Sequence, residues 1–156
     1  MTMENLFQKI KKWLESKGFQ ALITGGSREL VIPIADLYSG SYKIPDLIGA
    51  DQSGHVFIVE AENDKKKFFD ALGRCILWKC FATFVYLAFP KESCPKAPFL
   101  ERIGIGLISI NEGVKECVTL FDEANKPLFK TTELHPVDCP KELELAKYIR
   151  KVIKIK

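Results

Sequence analysis

This chain of 156 residues lacks long apolar runs. No uninterrupted apolar segment approaches the roughly 20 residues that a membrane-spanning helix needs. Its N-terminus lacks the basic segment followed by an apolar segment that marks a secretory signal. We therefore expect a cytoplasmic protein without a membrane partner. The chain also has no strong excess of charge of one sign, because its formal net charge at pH 7 is +3. This value neither requires nor excludes nucleic acid, since the clustering of basic residues matters more than their sum.

Residues that bind zinc are sparse. The two histidines, His55 and His135, have no cysteine or histidine partners at ligand spacing, and no CxxC pair occurs. The cysteines are odd in number and mostly stand inside apolar patterns: Cys75, Cys80, Cys94, Cys117 and Cys139. We expect buried free thiols rather than a disulfide framework. The Lys- and Ile-rich composition is compatible with a thermophile, in which an intracellular disulfide is permissible.

No repeat, low-complexity segment or linker divides the chain, so we predict a single domain over residues 1–156. Helical spacing of apolar residues predicts a first helix over 3–17 and a second helix after Asp64. Strands are predicted between these helices, at FVYLAF (84–89), and at IGLISIN and ECVTLFD beyond a short helix near FLERIG. A basic helix is predicted over 141–156. This order predicts an α/β fold with a central mixed sheet flanked by helices.

Three acidic residues outside the turn stand in the stretch YKIPDLIGADQSGHVFIVEAEN, which predicts two strands joined in a hairpin by DQSG. Glu60 and Glu62 project together because residues two apart on a strand share a face, and Asp46 is expected near the same end. Three partly desolvated carboxylates would raise one another's pKa unless a cation neutralises them. Oxygen ligands favour Mg²⁺ or Mn²⁺. The alternative is a solvent-exposed strand end beside an ordinary turn aspartate, and the pattern leaves both open.

The order of helix, three strands, helix and strand, with Pro45-Asp46 followed by Glu60-x-Glu62, resembles the core of the PD-(D/E)xK nucleases. This superfamily contains restriction endonucleases and archaeal Holliday-junction resolvases, and the likeness covers most of the chain. It implies a restriction-endonuclease-like core and Mg²⁺- or Mn²⁺-dependent hydrolysis of DNA phosphodiester bonds. Asp46 and Glu60 would be the catalytic metal ligands, and Glu62 would support the same ion or a second one.

Glu62 occupies the position of the family's motif lysine, which is a departure from the pattern. A third carboxylate can bind a second metal ion that does what the lysine would otherwise do. Loss of the lysine is equally expected in a catalytically inactive descendant that serves as a DNA-binding or protein-interaction module. A third alternative is an α/β domain with a coincidental acidic edge and no affinity for nucleic acid.

Basic residues complete the predicted site. Arg74 and Trp78 are four residues apart on one helical face, the spacing at which a glutamine and a tyrosine face the site in many members of the family. Arg74 is therefore a catalytic candidate for contact with the scissile phosphate, and a surface arginine is the alternative. Contacts to the DNA backbone are predicted for four lysines: Lys43, Lys65, Lys66 and Lys67. The alternative is a strand-edge lysine for Lys43 and a solvated charge run for the other three. Many enzymes of this fold pair up, so a homodimer is also expected.

Overall fold

The computed structural model describes residues 2–24, 32–33, 42–43, 45–79, 82–124, 126 and 128. The predicted helix over 141–156 lies outside these residues, as do His135, Cys80 and Cys139. Lys43 belongs to a strand, and its predicted contact with DNA lies outside the described side chains.

A mixed sheet of six strands forms the centre of the described part of the chain. In chain order the helices are α1 (Met3–Ser16), α2 (Phe68–Trp78) and α3 (Leu100–Ile103). The strands are β1 (Gln20–Ile23), β2 (Ile32–Pro33), β3 (Tyr42–Lys43), β4 (Leu47–Ala50), β5 (Val56–Ala61), β6 (Phe84–Pro90), β7 (Gly106–Ile110) and β8 (Val114–Val118). The predicted mixed α/β class, with helices against a mixed sheet, is confirmed.

The six strands lie in the order β1-β4-β5-β6-β7-β8, and β2 pairs with β3 in a separate antiparallel ribbon. Strand β6 is parallel to both of its neighbours, β5 and β7, and the remaining pairs of the sheet are antiparallel. The carboxyl ends of β5 and β6 therefore lie at the same edge of the sheet, and α2 connects these two strands. Among the helices of the described residues, none has the length and apolarity that crossing a bilayer requires.

Helix α1 begins and ends where its sequence signals predict. The Thr2 hydroxyl accepts a hydrogen bond from the backbone N–H of Asn5 over 3.2 Å, which caps the helix. Gly18 follows the helix at φ 88°, a left-handed conformation that favours glycine. The apolar face of α1 is buried against the sheet through Leu6, Ile10 and Leu14. This helix covers one face of the sheet.

The two faces of β5 have different neighbours. Phe57 points towards α1, where its ring lies 5.8 Å from Trp13 and stacks on Tyr86 at 5.0 Å. Because side chains alternate along a strand, Ile58 and Glu60 point to the opposite face, which α2 covers. All six residues of β5 are buried. A carboxylate at the end of this strand is therefore buried beneath α2 rather than exposed at an open edge.

The predicted hairpin between β4 and β5 is confirmed. Its register pairs Leu47 with Val59, which brings Asp46 beside Glu60. The Asp51 carboxylate closes the turn by accepting a hydrogen bond from the His55 backbone N–H over 2.8 Å. The length of this turn thus determines which residue of β5 lies next to Asp46.

Other predictions differ in detail. Strand β8 begins at Val114, because the chain reverses immediately at Asn111, whose N–H donates to the Gly113 carbonyl over 2.9 Å. Cys75 is a buried free thiol as predicted, but Cys117 is exposed and Cys94 only half-buried. The expectation of buried thiols is thus wrong for Cys117, which lies on β8 at the edge of the sheet.

Candidate active site

Glu60 is the centre of a buried polar cluster at the carboxyl end of β5. Its exposure is 2%, and both of its oxygens have partners. The indole Nε1 of Trp78 donates to Oε1 over 2.6 Å, and Nε of Arg74 donates to Oε2 over 3.3 Å. Trp78 and Arg74 lie one turn apart on α2, so the predicted shared face of these residues is turned towards Glu60. The helix therefore holds this carboxyl group in a fixed orientation.

Asp46 is the second carboxyl group of the cluster, and its side chain is in hydrogen-bonding contact with that of Glu60. Its Oδ2 also accepts a hydrogen bond from the backbone N–H of Ala61 over 2.8 Å. The predicted convergence of an aspartate on β4 with an acid on β5 is thus present as a close pair.

Thr24 holds the backbone of the Pro45-Asp46 segment. This fully buried residue donates its hydroxyl to the Pro45 carbonyl, and its backbone N–H donates to the Asp46 carbonyl over 2.8 Å. Sequence analysis missed Thr24. The available signal was a polar residue directly after the β1 segment, but that signal does not reveal which loop the residue contacts.

The carboxyl pair has unusual electrostatics. Burial and the adjacent Asp46 carboxyl raise the pKa of Glu60 to about 8, although Trp78 and Arg74 act in the opposite direction. Burial also raises the pKa of Asp46, against the lowering effect of the Ala61 N–H. Two carboxyl groups in contact form a coupled pair that shares a proton. The pair is thus expected to carry a proton at neutral pH when no other cation is bound.

Glu62 is held differently from the other two acids. Its Oε1 accepts backbone N–H groups of Asn63 and Asp64 over 3.1 and 3.2 Å, and its Oε2 lies 4.0 Å from Nη2 of Arg74. The guanidinium of Arg74 is therefore an ion-pair partner of both Glu60 and Glu62. Throughout the described residues, no three acidic, histidine or cysteine side chains converge as a metal ion would need. The role of Glu62 as a metal ligand stays a prediction.

The Asp46–Glu60 pair nevertheless fits a divalent ion. Mg²⁺ is commonly bound by one or two carboxylates, with water and substrate phosphate oxygens as its other ligands. If Asp46, Glu60 and Glu62 are all ionised, Arg74 offsets one of three negative charges, and a divalent ion would offset the other two. Such an ion would replace the shared proton, because metal ligands must be deprotonated.

The predicted lysines form the turn that connects this cluster to α2. Residues Lys65–Lys67 make a single 3-10 turn, and the Asp64 carboxylate caps it by accepting from the Lys66 N–H over 2.9 Å. All three lysines are exposed. Their position next to Glu62 and Asp64 is the predicted one, while their contact with DNA stays a prediction. The predicted contact of Arg74 with phosphate also stays a prediction, beside its observed contacts with carboxylates.

Comparison with known proteins does not identify the chain. No protein-family model matches it, and no curated protein matches its sequence. Among solved structures it is similar to a protein of unknown function from Silicibacter pomeroyi, with 15% identity and a TM-score of 0.49 over 94% of this chain and 88% of that chain. A likeness at this level says nothing about activity. The proposal below therefore depends on the site itself.

Proposed function

We propose that this protein is a Mg²⁺- or Mn²⁺-dependent endonuclease with a restriction-endonuclease-like core that hydrolyses DNA phosphodiester bonds. The observation that carries the proposal is the close pair formed by the buried Glu60 carboxyl and the half-buried Asp46 carboxyl, at the carboxyl end of β5. The aspartate follows a proline at the start of one hairpin strand, and the glutamate ends the other. This is the arrangement that the PD-(D/E)xK resemblance implies for two metal ligands.

A purely structural role explains the pair poorly. A buried and a half-buried carboxyl group in contact cost free energy through desolvation and mutual repulsion, and apolar residues would pack the same space without that cost. The raised pKa of Glu60 reports this unfavourable environment. Titratable groups with strongly perturbed pKa values cluster at functional sites. At such a site, a bound ligand or ion can supply the positive charge that two neighbouring carboxylates need. A bound divalent cation supplies such a charge.

Each side chain of the cluster has a definite part in the proposed reaction. Asp46 and Glu60 would hold the ion, which when bound activates water and stabilises the charge on the phosphate. The Trp78 indole and the Ala61 N–H keep the two carboxylates oriented. Arg74, whose side chain is 38% exposed, has five N–H donors and can bind a phosphate oxygen in addition to its carboxylate partners. Three exposed lysines would contact the flanking phosphates: Lys65, Lys66 and Lys67.

The direct test combines ion binding with cleavage. Mn²⁺ binding to the full chain is measured by calorimetry, and cleavage is measured on linear duplex, single-stranded, flap and four-way-junction DNA. We expect Asp46→Asn and Glu60→Gln to lose both ion binding and cleavage. The exposed acid Glu112 provides the matched control, because Glu112→Gln removes one charge from the turn between β7 and β8, outside the Asp46–Glu60 pair. Equal Mn²⁺ binding by wild type and both site variants would overturn the proposal.

A second function, a nuclease-fold module that binds DNA without cutting it, is favoured by one observation. Arg74 already pairs with both Glu60 and Glu62, so a single guanidinium supplies part of the positive charge that an ion would bring. This module would bind DNA with a steep salt dependence but would not cleave it at any Mn²⁺ concentration. Absence of both binding and cleavage would instead identify an α/β domain with a coincidental acidic cluster.

A further inference from the structure

Two large aromatic side chains are exposed, one at the start of α2 and one directly before α3. Phe69 is 78% exposed and Phe99 is 47% exposed. Both rings contact the buried ring of Phe68, with centroid distances of 5.3 Å for Phe69 and 6.2 Å for Phe99. Together with the ring of Phe68 they form a cluster of aromatic side chains at the surface, and contiguous exposed apolar patches mark interaction sites. The two exposed rings and the turn at Lys65–Lys67 are together called the aromatic-basic surface.

The aromatic-basic surface lies at the same edge of the sheet as the Asp46–Glu60 pair. Phe68 packs at 6.2 Å from Phe89, near the carboxyl end of β6 and on the face that α2 covers. The adjacent Ala88 carbonyl accepts the backbone N–H of Glu62 over 2.9 Å. The ends of the parallel strands β5 and β6 thus bring the rings and the acidic cluster to one edge. In α/β sheets, ligands bind outside the carboxyl ends of the strands.

Charge identifies the chemistry of the partner. Three consecutive exposed lysines directly precede Phe68 and Phe69, and the macrodipole of α2 adds partial positive charge at the same point, where Asp70 is the acidic residue of the first turn. A polyanion fits this surface, whereas an apolar protein segment would gain nothing from the lysines. Exposed aromatic rings also favour single-stranded over duplex nucleic acid. Unpaired bases can stack on the rings, whereas the bases of a duplex are already stacked on one another and paired.

We infer that the aromatic-basic surface binds unpaired nucleotides of DNA, and that the substrate of the adjacent site is therefore single-stranded DNA or an unpaired segment such as a flap. The lysines bind consecutive phosphates, and the rings of Phe69 and Phe99 stack on the bases. The inference rests on the proposed function for its link to cleavage. Binding itself can be measured independently of cleavage.

The test measures binding of the full chain to one fluorescein-labelled DNA sequence, as single strand and as duplex, by fluorescence anisotropy in EDTA. We expect wild type to prefer the single strand, and Phe69→Ala to weaken single-strand binding on the order of tenfold. Phe69→Tyr retains a ring and should bind like wild type. Ile76→Ala is the matched control, because Ile76 is also an exposed apolar residue of α2, at 40% exposure, but lies about two turns beyond Phe69 and away from the lysines.

Several results would overturn the inference. One is unchanged single-strand binding in both Phe69→Ala and Phe99→Ala, with thermal unfolding confirming that the variants are folded. Another is a concentration-dependent dimer that Phe69→Ala dissociates in sedimentation experiments, which would make this surface an interface between copies. Single-strand binding that depends on Phe69 without cleavage would leave the binding surface standing while removing both the nuclease and its single-stranded substrate. DNA cleavage that proceeds equally well in wild type and in Phe69→Ala would leave the nuclease standing and would remove the inference.

Discussion

Trp78 donates its indole N–H to Oε1 of Glu60 over 2.6 Å, joining the last turn of α2 to the end of β5. Arg74, one turn earlier on the helix, reaches Oε2 of the same carboxyl group. The two α2 side chains thus hold Glu60 in one orientation beside Asp46. Their positioning role explains how a carboxyl group is retained in the interior of this sheet.

Replacement of Trp78 by phenylalanine should test this role, because the ring is kept while the N–H donor is lost. The buried Glu60 oxygen would lose its partner, so we expect a loss of about 1–3 kcal/mol in the free energy of unfolding. The substitution should also raise the pKa of Glu60, because the Trp78 hydrogen bond lowers it. Chemical denaturation of Trp78→Phe in the wild-type and Glu60→Leu backgrounds measures the coupling, because leucine removes the acceptor of the Trp78 N–H. Equal losses in both backgrounds would contradict a specific interaction with the carboxyl group.

The raised pKa of Glu60 predicts how stability changes with pH. In the unfolded chain this group titrates near 4.5, and in the folded chain at about 8. Between these values the folded state holds a proton that the unfolded state has released, so stability falls as the pH rises. The slope reaches about 1.4 kcal/mol per pH unit for one such proton. The shift of Asp46 is in the same direction and acts with the same sign.

This pH dependence is measured by urea denaturation in EDTA across the interval from 4.5 to 8. Glu60→Gln has no carboxyl proton to release at this position, so its stability should decline less steeply than that of the wild type, with Asp46 as the remaining carboxyl group of the pair. Glu112→Gln, which changes an exposed acid, should retain the wild-type slope. A wild-type stability that rises towards pH 8 would show that Glu60 is ionised in the folded protein, contrary to its raised pKa.

The carboxyl pair was predictable because it depends on local rules. Strand alternation and the DQSG turn are readable in the sequence, and together they place Asp46 beside Glu60. The position of the Glu62 side chain relative to that pair was harder to predict from the sequence. It depends on the guanidinium of Arg74, which reaches across from α2, and no sequence period reveals such a tertiary contact. Burial of Glu60 likewise follows from the packing of α2 on β5.

Elements with strong apolar patterns were predicted closely, whereas residues whose role is tertiary were not. The fully buried strand β6 and helix α1 follow directly from their runs and spacing. The structural positions of Thr24 and Phe69, by contrast, could not be predicted from the sequence. A threonine after a strand and a phenylalanine in a helical pattern are both ordinary in sequence. Only the fold reveals that Thr24 is buried against Pro45 while Phe69 is exposed.

Two glycines should respond oppositely to alanine. A Cβ on Gly106 would lie 2.2 Å from the Tyr86 ring, which is fully buried and whose hydroxyl accepts the Leu120 N–H over 2.8 Å. Gly106→Ala should therefore destabilise the protein by about 1–3 kcal/mol through overpacking. A Cβ on Gly73, within α2, meets no atom within 4 Å. Gly73→Ala should stabilise by about 0.5–1 kcal/mol.

Thermal and urea denaturation of the two variants measures this difference under the same conditions. The comparison is matched, since each substitution adds one methyl group to a regular element. Equal effects of the two substitutions would contradict the close packing of Gly106 on Tyr86. Both variants leave the Asp46–Glu60 pair unchanged, so Mn²⁺ binding provides a check that the site is intact.

Cys94 and Cys117 are predicted to form an intramolecular disulfide on mild oxidation. The Cys94 thiol is in hydrogen-bonding contact with the Cys117 thiol and the Ser109 hydroxyl. Burial and the adjacent Cys117 raise the pKa of Cys94 to about 11, which makes it a poor initial nucleophile at neutral pH. Cys117 is exposed, so its thiolate should attack diamide first. Cys94 then displaces the reduced reagent, and the pair loses two hydrogens in total.

Mass spectrometry of the oxidised full chain should show a cross-linked peptide joining the segment after β6 to strand β8. Cys117→Ser should abolish it, whereas Cys75→Ser should not, because Cys75 is fully buried. Since the disulfide would tie an edge strand of the sheet to a loop, the oxidised protein should also resist urea better than the reduced one. Oxidation that yields only dimers linked through Cys117 on a non-reducing gel would contradict the proximity of the two thiols.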